Sequence, residues 1–318
     1  MSDTYETEHE ITVSAPAEAI FGQIVDVGGW PWLFPPTVHV EHLEQGDAEE
    51  LIRIWATANG QVKCWTSRRF LDRAALRIRF RQEVSQPPIA AMGGEWLIEP
   101  LPDGTARVRL KHDFSPLEDT AQNVAWITRA VGGNSAAELA AIKAAAEHQH
   151  GHGQLLFSFD EMMRVDGAAR DVYDFIYRAD QWPERLPHVT RVALEQHTPT
   201  VQSLEMDTRS EDGSVHTTRS IRVCLPPETI VYKQSRTPAL LSAHTGRWSI
   251  REDVGGTVIT SLHTVVINAV AIPAILGAAA TVTQARAFIR GALGRNSVIT
   301  MRCAKAYAEN IGTAPPVR

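Results

Sequence analysis

The chain has 318 residues, of which 44% are hydrophobic and 21% are charged, a balance typical of a folded globular protein rather than a disordered one. Its formal net charge is -6, which gives no reason to expect binding to nucleic acid or to an anionic membrane surface. Three scattered cysteines do not make a disulfide framework, so reduced thiols and a cytoplasmic location are expected.

The first predicted elements follow a polar, acidic N-terminal segment that lacks the basic start and apolar core of a signal peptide, so export is not expected. An alternating strand, HEITVS, leads to a short helix for which Ser14 is the predicted N-cap and Pro16 the pre-set first turn. After a WP turn come several strands separated by the turn signals ANG and PDG. An Ala-rich helix, NSAAELAAIKAAAEHQ, completes this set of elements.

A polar segment, EHQHGHGQ at residues 147–154, follows the Ala-rich helix and is typical of a linker. Its alternating histidines, His148, His150 and His152, could bind a metal. Alternating histidines beside two glycines are more typical of a solvated linker, so we expect no metal site there.

The elements then recur in the same order, because the chain contains an internal repeat. Trp30 matches Trp182 and Trp96 matches Trp248, in both cases 152 positions later. The second copy opens with the strand LFSFDEMMRV and a helix whose predicted N-cap is Asp166, and it closes with the helix NSVITMRCAKAYAEN. Near the end of each copy GGNS matches GRNS at a spacing of 162, so the second copy has gained about ten residues.

The uncharged segment of the second copy, Thr264 to Ala285, is about long enough to span a bilayer. It contains Asn268, Pro273 and Gly277, and it is rich in small residues rather than in leucine and phenylalanine. The matching segment of the first copy, HDFSPLEDTAQNVAWITRAV, is charged. We therefore interpret the segment as part of the fold and expect no membrane span.

The order of elements in each copy, a strand, a short helix, an antiparallel meander and a long C-terminal helix, predicts an α+β domain. In such a domain a curved antiparallel sheet wraps around the long helix and leaves an interior cavity. We therefore predict two tandem domains of this kind, at residues 1–150 and 154–318.

One predicted strand, VKCWTSRRF, places Trp65, Ser67 and Arg69 on the same face, since residues two apart on a strand point to the same side. At a spacing of 153 the polar pair recurs as Ser220 and Arg222. The neighbours Arg68 and Phe70 become Ile221 and Val223, so the apolar matches fall on the other face. This favours two arginines that point into the domain interiors, against the alternative that they face water.

The residues WPWLF (30–34), WTSRR (65–69), the GEW strand ending at Trp96 and the helix opened by Asn134 and Ser135 resemble the two-domain aromatase/cyclases of bacterial type II polyketide synthases. The resemblance covers nearly the whole chain. It implies the helix-grip fold of the START and Bet v 1 superfamily in both copies.

By this resemblance the catalytic residues are Arg69 and Ser67, with Arg222 and Ser220 in the second copy. A tyrosine of the single-domain members is replaced here by Thr37, so a phenolic proton donor is missing at that position. The side chains expected to bind substrate are Trp30, Phe34, Thr37, Trp65, Met92, Trp96 and His112 in the first copy, and Trp182, His188 and Trp248 in the second.

The implied reaction is the aldol closure of the first ring, between carbons seven and twelve, of a ketoreduced poly-β-ketone held on an acyl carrier protein, followed by dehydration to the aromatic ring. Ketosynthase and ketoreductase are the implied partner proteins. A buried arginine would stabilise the developing oxyanion, and its partner would arrive with the substrate. No Gly-rich phosphate loop, nucleophile elbow or paired-carboxylate motif is present, so no cofactor is expected.

Two alternatives remain open at this stage. The same fold serves as a non-catalytic carrier of apolar ligands, and one copy could be a scaffold for the other. His112 and Asp113 point to opposite faces of their strand, so one of them at most lines a cavity, in a structural or an acid–base role. The first copy has Trp65 where the second copy has Thr218, and this difference favours the first copy as the main site.

Overall fold

The computed structural model describes residues 3–147, 154–210 and 213–311, with no side-chain description for residue 311. The chain divides into two compact units, residues 1–152 and 153–318, which we name the N-terminal and the C-terminal unit. The linker histidines 148, 150 and 152 lie outside the described residues.

The N-terminal unit contains one seven-stranded antiparallel sheet with the strand order β1-β7-β6-β5-β4-β3-β2. Two short helices follow the first strand, and a long helix ends the unit. The elements are β1 (Tyr5–Val13), α1 (Ala17–Val25), α2 (Trp30–Leu33), β2 (Thr37–Gln45), β3 (Glu49–Ala58), β4 (Gln61–Asp72), β5 (Arg77–Val84), β6 (Ile89–Pro100), β7 (Ala106–Pro116) and α3 (Ala121–Glu147).

The C-terminal unit repeats this topology, with the strand order β8-β14-β13-β12-β11-β10-β9. It contains one additional short helix before its long closing helix. The elements are β8 (Leu156–Val165), α4 (Ala169–Tyr177), α5 (Trp182–Arg185), β9 (Val189–Thr198), β10 (Val201–Arg209), β11 (Val215–Leu225), β12 (Thr229–Arg236), β13 (Leu241–Asp253), β14 (Gly256–Ile267), α6 (Ile272–Leu276) and α7 (Val282–Ile311).

The core of each unit lies between the concave face of its sheet and its long helix. In the N-terminal unit Ile52, Ile98 and Leu110 of the sheet are fully buried in one apolar cluster with Leu139 and Ile142 of α3. Burying these faces removes apolar surface from water, which is the main favourable term in folding. The predicted α+β helix-grip fold is thus confirmed in both units.

The long helices are held to the sheets by the same polar contacts in both units. Lys143 Nζ donates to the carbonyl of Thr12, and Glu147 accepts from the backbone N–H of Ser14. The C-terminal unit repeats both contacts, with Lys305 donating to Arg164 and Glu309 accepting from Asp166. These contacts tie the last turns of α3 and α7 to the corner that follows the first strand of each unit.

The predicted N-caps Ser14 and Asp166 are wrong. Helix α1 begins at Ala17 after Pro16, and α4 begins at Ala169 after Ala168, without a side-chain cap in either case. The closing helices also begin earlier than predicted: α3 begins at Ala121 rather than at Asn134, and α7 begins at Val282 rather than at Asn296.

The residues gained in the second copy form a 3₁₀ turn at Ala269–Ala271 and helix α6. Ile272 of α6 is buried with Leu240, Leu241 and Ile289 in an apolar cluster, against which Leu276 also packs. Within the described residues no helix is long and apolar enough to cross a membrane.

Candidate functional site

A cavity of about 800 Å³, counting the space at its mouth, lies in the N-terminal unit between the sheet and α3. Predicted substrate-binding residues that line it are Trp30, Thr37, Trp65, Met92 and His112, and helix α3 contributes Trp126, Ile127, Ala130, Val131, Asn134, Ser135 and Glu138.

The predicted residues Phe34 and Trp96 are buried behind the cavity wall rather than in its surface. Their rings are nearly parallel, with centroids 6.2 Å apart, and Phe34 also contacts Trp30 at 5.3 Å. The indole N–H of Trp30 donates to the carbonyl of Ile24 at 3.2 Å. This stack makes one wall of the cavity rigid, and Trp30 is the member that faces the cavity.

Arg69 is buried, with 2% of its surface exposed, but the expectation that its partner arrives with the substrate is wrong. Its guanidinium forms an ion pair with Glu50 and donates to the carbonyl of Ile24 at 2.6 Å. It also lies over the ring of Trp30, 4.9 Å from the centroid. Arg69 is not among the residues that line the cavity, so its burial is explained by contacts within the protein.

The same arrangement explains why the arginine recurs in the second copy. Arg222 donates to the carbonyls of Ile176 and Tyr177 at the end of α4, and it lies over Trp182, 5.2 Å from the ring centroid. The last carbonyls of a helix have no partner within it, and they attract cations. Each arginine therefore caps the short helix of its unit and supports the adjacent tryptophan.

The two predicted serines are also buried outside the cavity surface. Ser67 is 2% exposed, and its hydroxyl donates to the carbonyl of Arg81 at 3.3 Å. Ser220 is 8% exposed, on the strand that carries Arg222.

Glu138 is a cavity residue that the sequence analysis did not identify. It lies on α3 one turn beyond Asn134 and Ser135, which also line the cavity. Burial raises the pKa of its carboxyl from 4.5 to about 8, with no charged neighbour contributing. At neutral pH Glu138 is therefore mostly protonated and able to donate a proton.

His112 of β7 lines the same cavity and has the opposite shift. Burial, with a smaller contribution from His9, lowers its pKa from 6.5 to about 4, against the opposing effect of Asp113. The ring is thus neutral at physiological pH and able to accept a proton. The site contains a carboxylic acid and a neutral imidazole, an inversion of charge states that is typical of acid–base sites.

Several polar atoms near the cavity have no hydrogen-bond partner among the described residues. They are Nδ1 of His112, Nδ1 of His9, Oγ1 of Thr7 and Oγ of Ser135. Buried polar groups normally find partners, and leaving one without a partner costs about 1–3 kcal/mol. Of these, Nδ1 of His112 and Oγ of Ser135 belong to residues that line the cavity and are therefore available to a ligand or to water there.

The lining residues Lys63 and Trp126 are partly exposed and Pro87 is exposed, and we name the part of the cavity beside these three residues its mouth. Lys63 lies over the ring of Trp126, 5.3 Å from its centroid, and donates to the carbonyl of Pro87 at 3.0 Å. Asn59 in the β3–β4 turn donates to the carbonyl of Trp126 at 2.8 Å.

In the C-terminal unit the positions equivalent to the cavity wall carry a connected polar network. Nε2 of His263 lies 2.8 Å from Oγ of Ser297, and its Nδ1 lies 3.0 Å from Nε2 of His244 and 3.2 Å from the hydroxyl of Tyr232. Ser261 contacts His263 and Ser297 at 3.3 and 3.0 Å. Burial lowers the pKa of His263 to about 4, so the network is uncharged at neutral pH.

His263 and Ser297 occupy the positions of His112 and Ser135 in the repeat, while Glu138 is replaced by Thr300. Tyr232 occupies the position of Phe80 and depends on Gly246, because a Cβ there would lie 2.3 Å from its ring. The equivalents of His112 and Ser135, whose Nδ1 and Oγ atoms lack partners in the N-terminal unit, thus bond to each other in the C-terminal unit.

The other predicted residues of the second copy are buried or partly buried. Trp182 and Trp248 belong to the apolar core, and the indole N–H of Trp182 donates to the carbonyl of Phe175 at 3.1 Å. Burial lowers the pKa of His188, whose Nδ1 has no hydrogen-bond partner among the described residues. No group of three or more potential metal ligands occurs in the part of the chain that the structure describes.

Two matches to family models described as "polyketide cyclase / dehydrase and lipid transport" cover residues 4–147 and 165–288. The chain is 45% identical to the granaticin polyketide synthase bifunctional cyclase/dehydratase of Streptomyces violaceoruber, over 96% of this chain and 94% of the relative. It is also 45% identical to the actinorhodin polyketide synthase bifunctional cyclase/dehydratase of Streptomyces coelicolor, over 94% of this chain and 96% of the relative.

Two crystal structures of di-domain ARO/CYC proteins match nearly the whole chain. BexL, from the BE-7585A biosynthetic pathway, is 51% identical with a TM-score of 0.85, covering 98% of this chain and 100% of BexL. StfQ, from the steffimycin biosynthetic pathway, is 36% identical with a TM-score of 0.83, covering 97% of this chain and 100% of StfQ. The chain therefore belongs to the polyketide cyclase/dehydratase family, in its two-domain form.

Proposed function

We propose that the N-terminal cavity closes and dehydrates the first ring of a poly-β-ketone, with Glu138 as the general acid and His112 as the general base. The observation that carries this proposal is the presence of a protonated carboxyl and a neutral imidazole in one cavity. A general acid or base in position contributes typically 10²- to 10⁴-fold to the rate.

In the ring-closing step His112 removes a proton from a methylene flanked by two carbonyls, and the C–H electron pair becomes an enolate. The enolate carbon attacks a ketone carbon of the same chain, a C–C bond forms, and Glu138 protonates the new alkoxide. The proton held by His112 then returns to the Glu138 carboxylate. The neutral acid and base are thereby restored.

In the dehydration step His112 removes a ring proton next to the new carbinol carbon, and Glu138 protonates the hydroxyl. The C–O bond breaks, a C=C bond forms, and water leaves. Ser135 lies one helical turn from Glu138, and its hydroxyl is available for passing protons in this step.

The shape of the cavity supports the same function. Trp30 and Trp65 are rigid, flat surfaces in its wall, and such surfaces limit how a flexible chain can bend. Well-oriented intramolecular reactions reach effective molarities of about 10⁵ to 10⁸ M, so holding one bend supplies both the choice of ring and much of the rate.

Arg69 retains a role in this proposal as a positioning residue. It fixes Trp30 from behind and caps α1, while Glu50 neutralises its charge. The prediction that Arg69, Ser67, Arg222 and Ser220 act on the substrate directly stays a prediction, and the variants Arg69→Met and Arg222→Met below test its two arginines.

The N-terminal unit is the proposed working unit because Nδ1 of His112 and Oγ of Ser135 lack partners among the described residues, whereas the equivalent residues His263 and Ser297 bond to each other. In addition, Ile272 and Leu276 of α6 pack against Leu241 and Ile289. Leu241 and Ile289 correspond to Ile89 and Ile127, which line the N-terminal cavity. Closure of the second pocket by α6 would agree with the scaffold role considered for one copy.

The proposed substrate is a ketoreduced poly-β-ketone on an acyl carrier protein, closed between carbons seven and twelve. Support comes from the resemblance to two-domain aromatase/cyclases and from relatives named as bifunctional cyclase/dehydratases of polyketide synthases. By the same support the protein works in the cytoplasm with a ketosynthase and a ketoreductase, and it needs no cofactor.

The test is reconstitution of ketosynthase, carrier protein and ketoreductase with the parent protein and with the variants Glu138→Gln, His112→Gln, Arg69→Met and Arg222→Met. We expect the first-ring aromatic product from the parent and from Arg222→Met, and a loss of 100-fold or more from the first two variants. If the parent adds nothing to the products formed without it but binds the polyketide, the protein is a carrier and the enzymatic proposal fails.

A further inference from the structure

Lys63 contributes the ammonium group at the mouth of the cavity. It is partly buried on β4, two residues before Trp65 and on the same face of the strand. This partial burial lowers the pKa of its amine. Its side chain is held in place from two sides, by the ring of Trp126 and by the carbonyl of Pro87.

The ammonium has more hydrogen-bonding capacity than these contacts use. A lysine carries three N–H donors, and one of them is directed to Pro87 among the described residues. Because Lys63 lines the cavity, a ligand oxygen at the mouth can receive a charge-assisted hydrogen bond from it. The adjacent Gln86 and Asn134 are uncharged and do not compensate the lysine's charge.

We infer that Lys63 binds the thioester carbonyl at the tethered end of the substrate and so fixes how far the chain reaches into the cavity. This inference rests on the proposed function. The tethered end of a carrier-bound chain must enter last and stay at the mouth, where Lys63 lies. Its carbonyl oxygen is the acceptor that every such substrate presents there.

The distance from the mouth to the acid gives this anchor a consequence for ring choice. Trp126 at the mouth and Glu138 are 12 residues apart on α3, about 18 Å at 1.5 Å per residue. Anchoring the first carbon therefore determines which later carbons lie near Glu138 and His112, and a chain without the anchor can slide.

The C-terminal unit lacks this arrangement. The position equivalent to Lys63 is His216, which is exposed, and the position equivalent to Trp126 is Phe288, which is 53% exposed. The anchor is thus a property of the N-terminal unit and agrees with that unit as the working one.

The binding experiment uses isothermal titration calorimetry with two thioester probes, acetoacetyl-N-acetylcysteamine, which has no phosphate, and acetoacetyl-coenzyme A. We expect Lys63→Met, which keeps the aliphatic stem over Trp126, to weaken both probes equally, by about tenfold. Lys63→Arg restores the charge and should bind within about threefold of the parent. Arg73→Met, at an exposed cation of the β4–β5 turn, is the matched control and should change nothing.

Two results would overturn the inference. Weakened binding of the coenzyme A probe alone would assign Lys63 to a phosphate, and unchanged binding of both probes would leave it as a solvated residue. In the reconstituted system, Lys63→Met should raise KM more than it lowers kcat and should yield misplaced rings. If the parent gives no aromatic product, the proposed function fails, whereas an active parent with an unaffected Lys63→Met variant defeats only the anchor.

Discussion

Replacing Glu138 by glutamine is the most direct test of the acid assigned to the cavity. With a pKa of about 8, about 90% of the parent's Glu138 is protonated at pH 7, whereas at the ordinary value of 4.5 less than about 1% would be. Glutamine keeps the size and the neutral charge but has no acidic proton. We therefore expect kcat for dehydration to fall by about 10²- to 10⁴-fold, with little change in substrate affinity.

The same substitution should change the pH profile. Parent activity should fall above pH about 8, as Glu138 ionises, and below pH about 4, as His112 is protonated. The residual activity of Glu138→Gln should lack the basic limb. Glu147→Gln, near the C-terminal end of the same helix, is the control and should retain that limb, because its amide oxygen can still accept the bond from the backbone N–H of Ser14.

The substitution Glu138→Gln should raise stability at high pH although it lowers activity. Because folding raises the pKa of Glu138, its contribution is fully present below pH about 4.5 and is lost as pH rises through about 8. That loss reaches about 5 kcal/mol when the carboxyl is fully ionised. Glu138→Gln should therefore be the more stable protein in urea unfolding at pH 9. An active variant with an unchanged basic limb and no gain in stability would refute the assignment.

Three further predictions concern the scaffold and the second unit. Arg69→Met should cost up to about 3–5 kcal/mol in urea unfolding, because the buried Glu50 loses its arginine and keeps only its contact with the ring of His42 at 3.1 Å among the described residues. Adding Glu50→Gln should recover part of that loss, and equal stability of the single and double variants would contradict this. Calorimetry with an aromatic β-diketone should give one ligand per chain, and two would show that the C-terminal pocket is open. Folding lowers the pKa of His263 to about 4, so the contribution of its neutral ring to stability is present above pH about 6.5 and is lost as pH falls toward 4. The stability difference between the parent and His263→Gln should therefore shrink over that range. A constant difference would argue against a buried neutral ring.

Much of the fold could be predicted because the chain repeats itself. The matched tryptophans and turn signals gave the order of elements, and five predicted residues do line the cavity. The N-caps were misjudged because Ser14 and Asp166 are good capping residues by type. In the structure their backbone N–H groups are instead bound by Glu147 and Glu309, more than 130 residues away in sequence.

The partner of Arg69 was missed although the sequence contains the information. The turn at Asn59 and Gly60 fixes the register of the β3–β4 hairpin, in which Ala58 pairs with Gln61 and Glu50 therefore pairs with Arg69. Extending the register nine residues back from the turn would have placed a carboxylate beside the guanidinium. A lone strand, considered without its neighbour, cannot reveal such a pair.

Glu138 was missed for a different reason. The closing helix is so rich in alanine that its buried face is hard to assign from hydrophobicity alone. Ile127, Val131 and Ser135 follow one another at intervals of four, and Glu138 continues that stripe one turn beyond Asn134. A carboxylate on the stripe that faces the sheet is the signal that could have identified it, but its pKa depends on burial, which only the tertiary structure provides.

The contacts of Lys143 and Glu147 with the β1–α1 corner also fix the rotation of α3 about its own axis. Each residue of a helix turns the next side chain by about 100°, so one residue inserted between Glu138 and Lys143 would swing the acid away from the cavity while both ends stayed fastened. A deletion there would do the same in the opposite sense. Length variation in this short interval should therefore be far more damaging than substitution, and protein engineers who exchange closing helices between relatives would need to preserve its exact residue count.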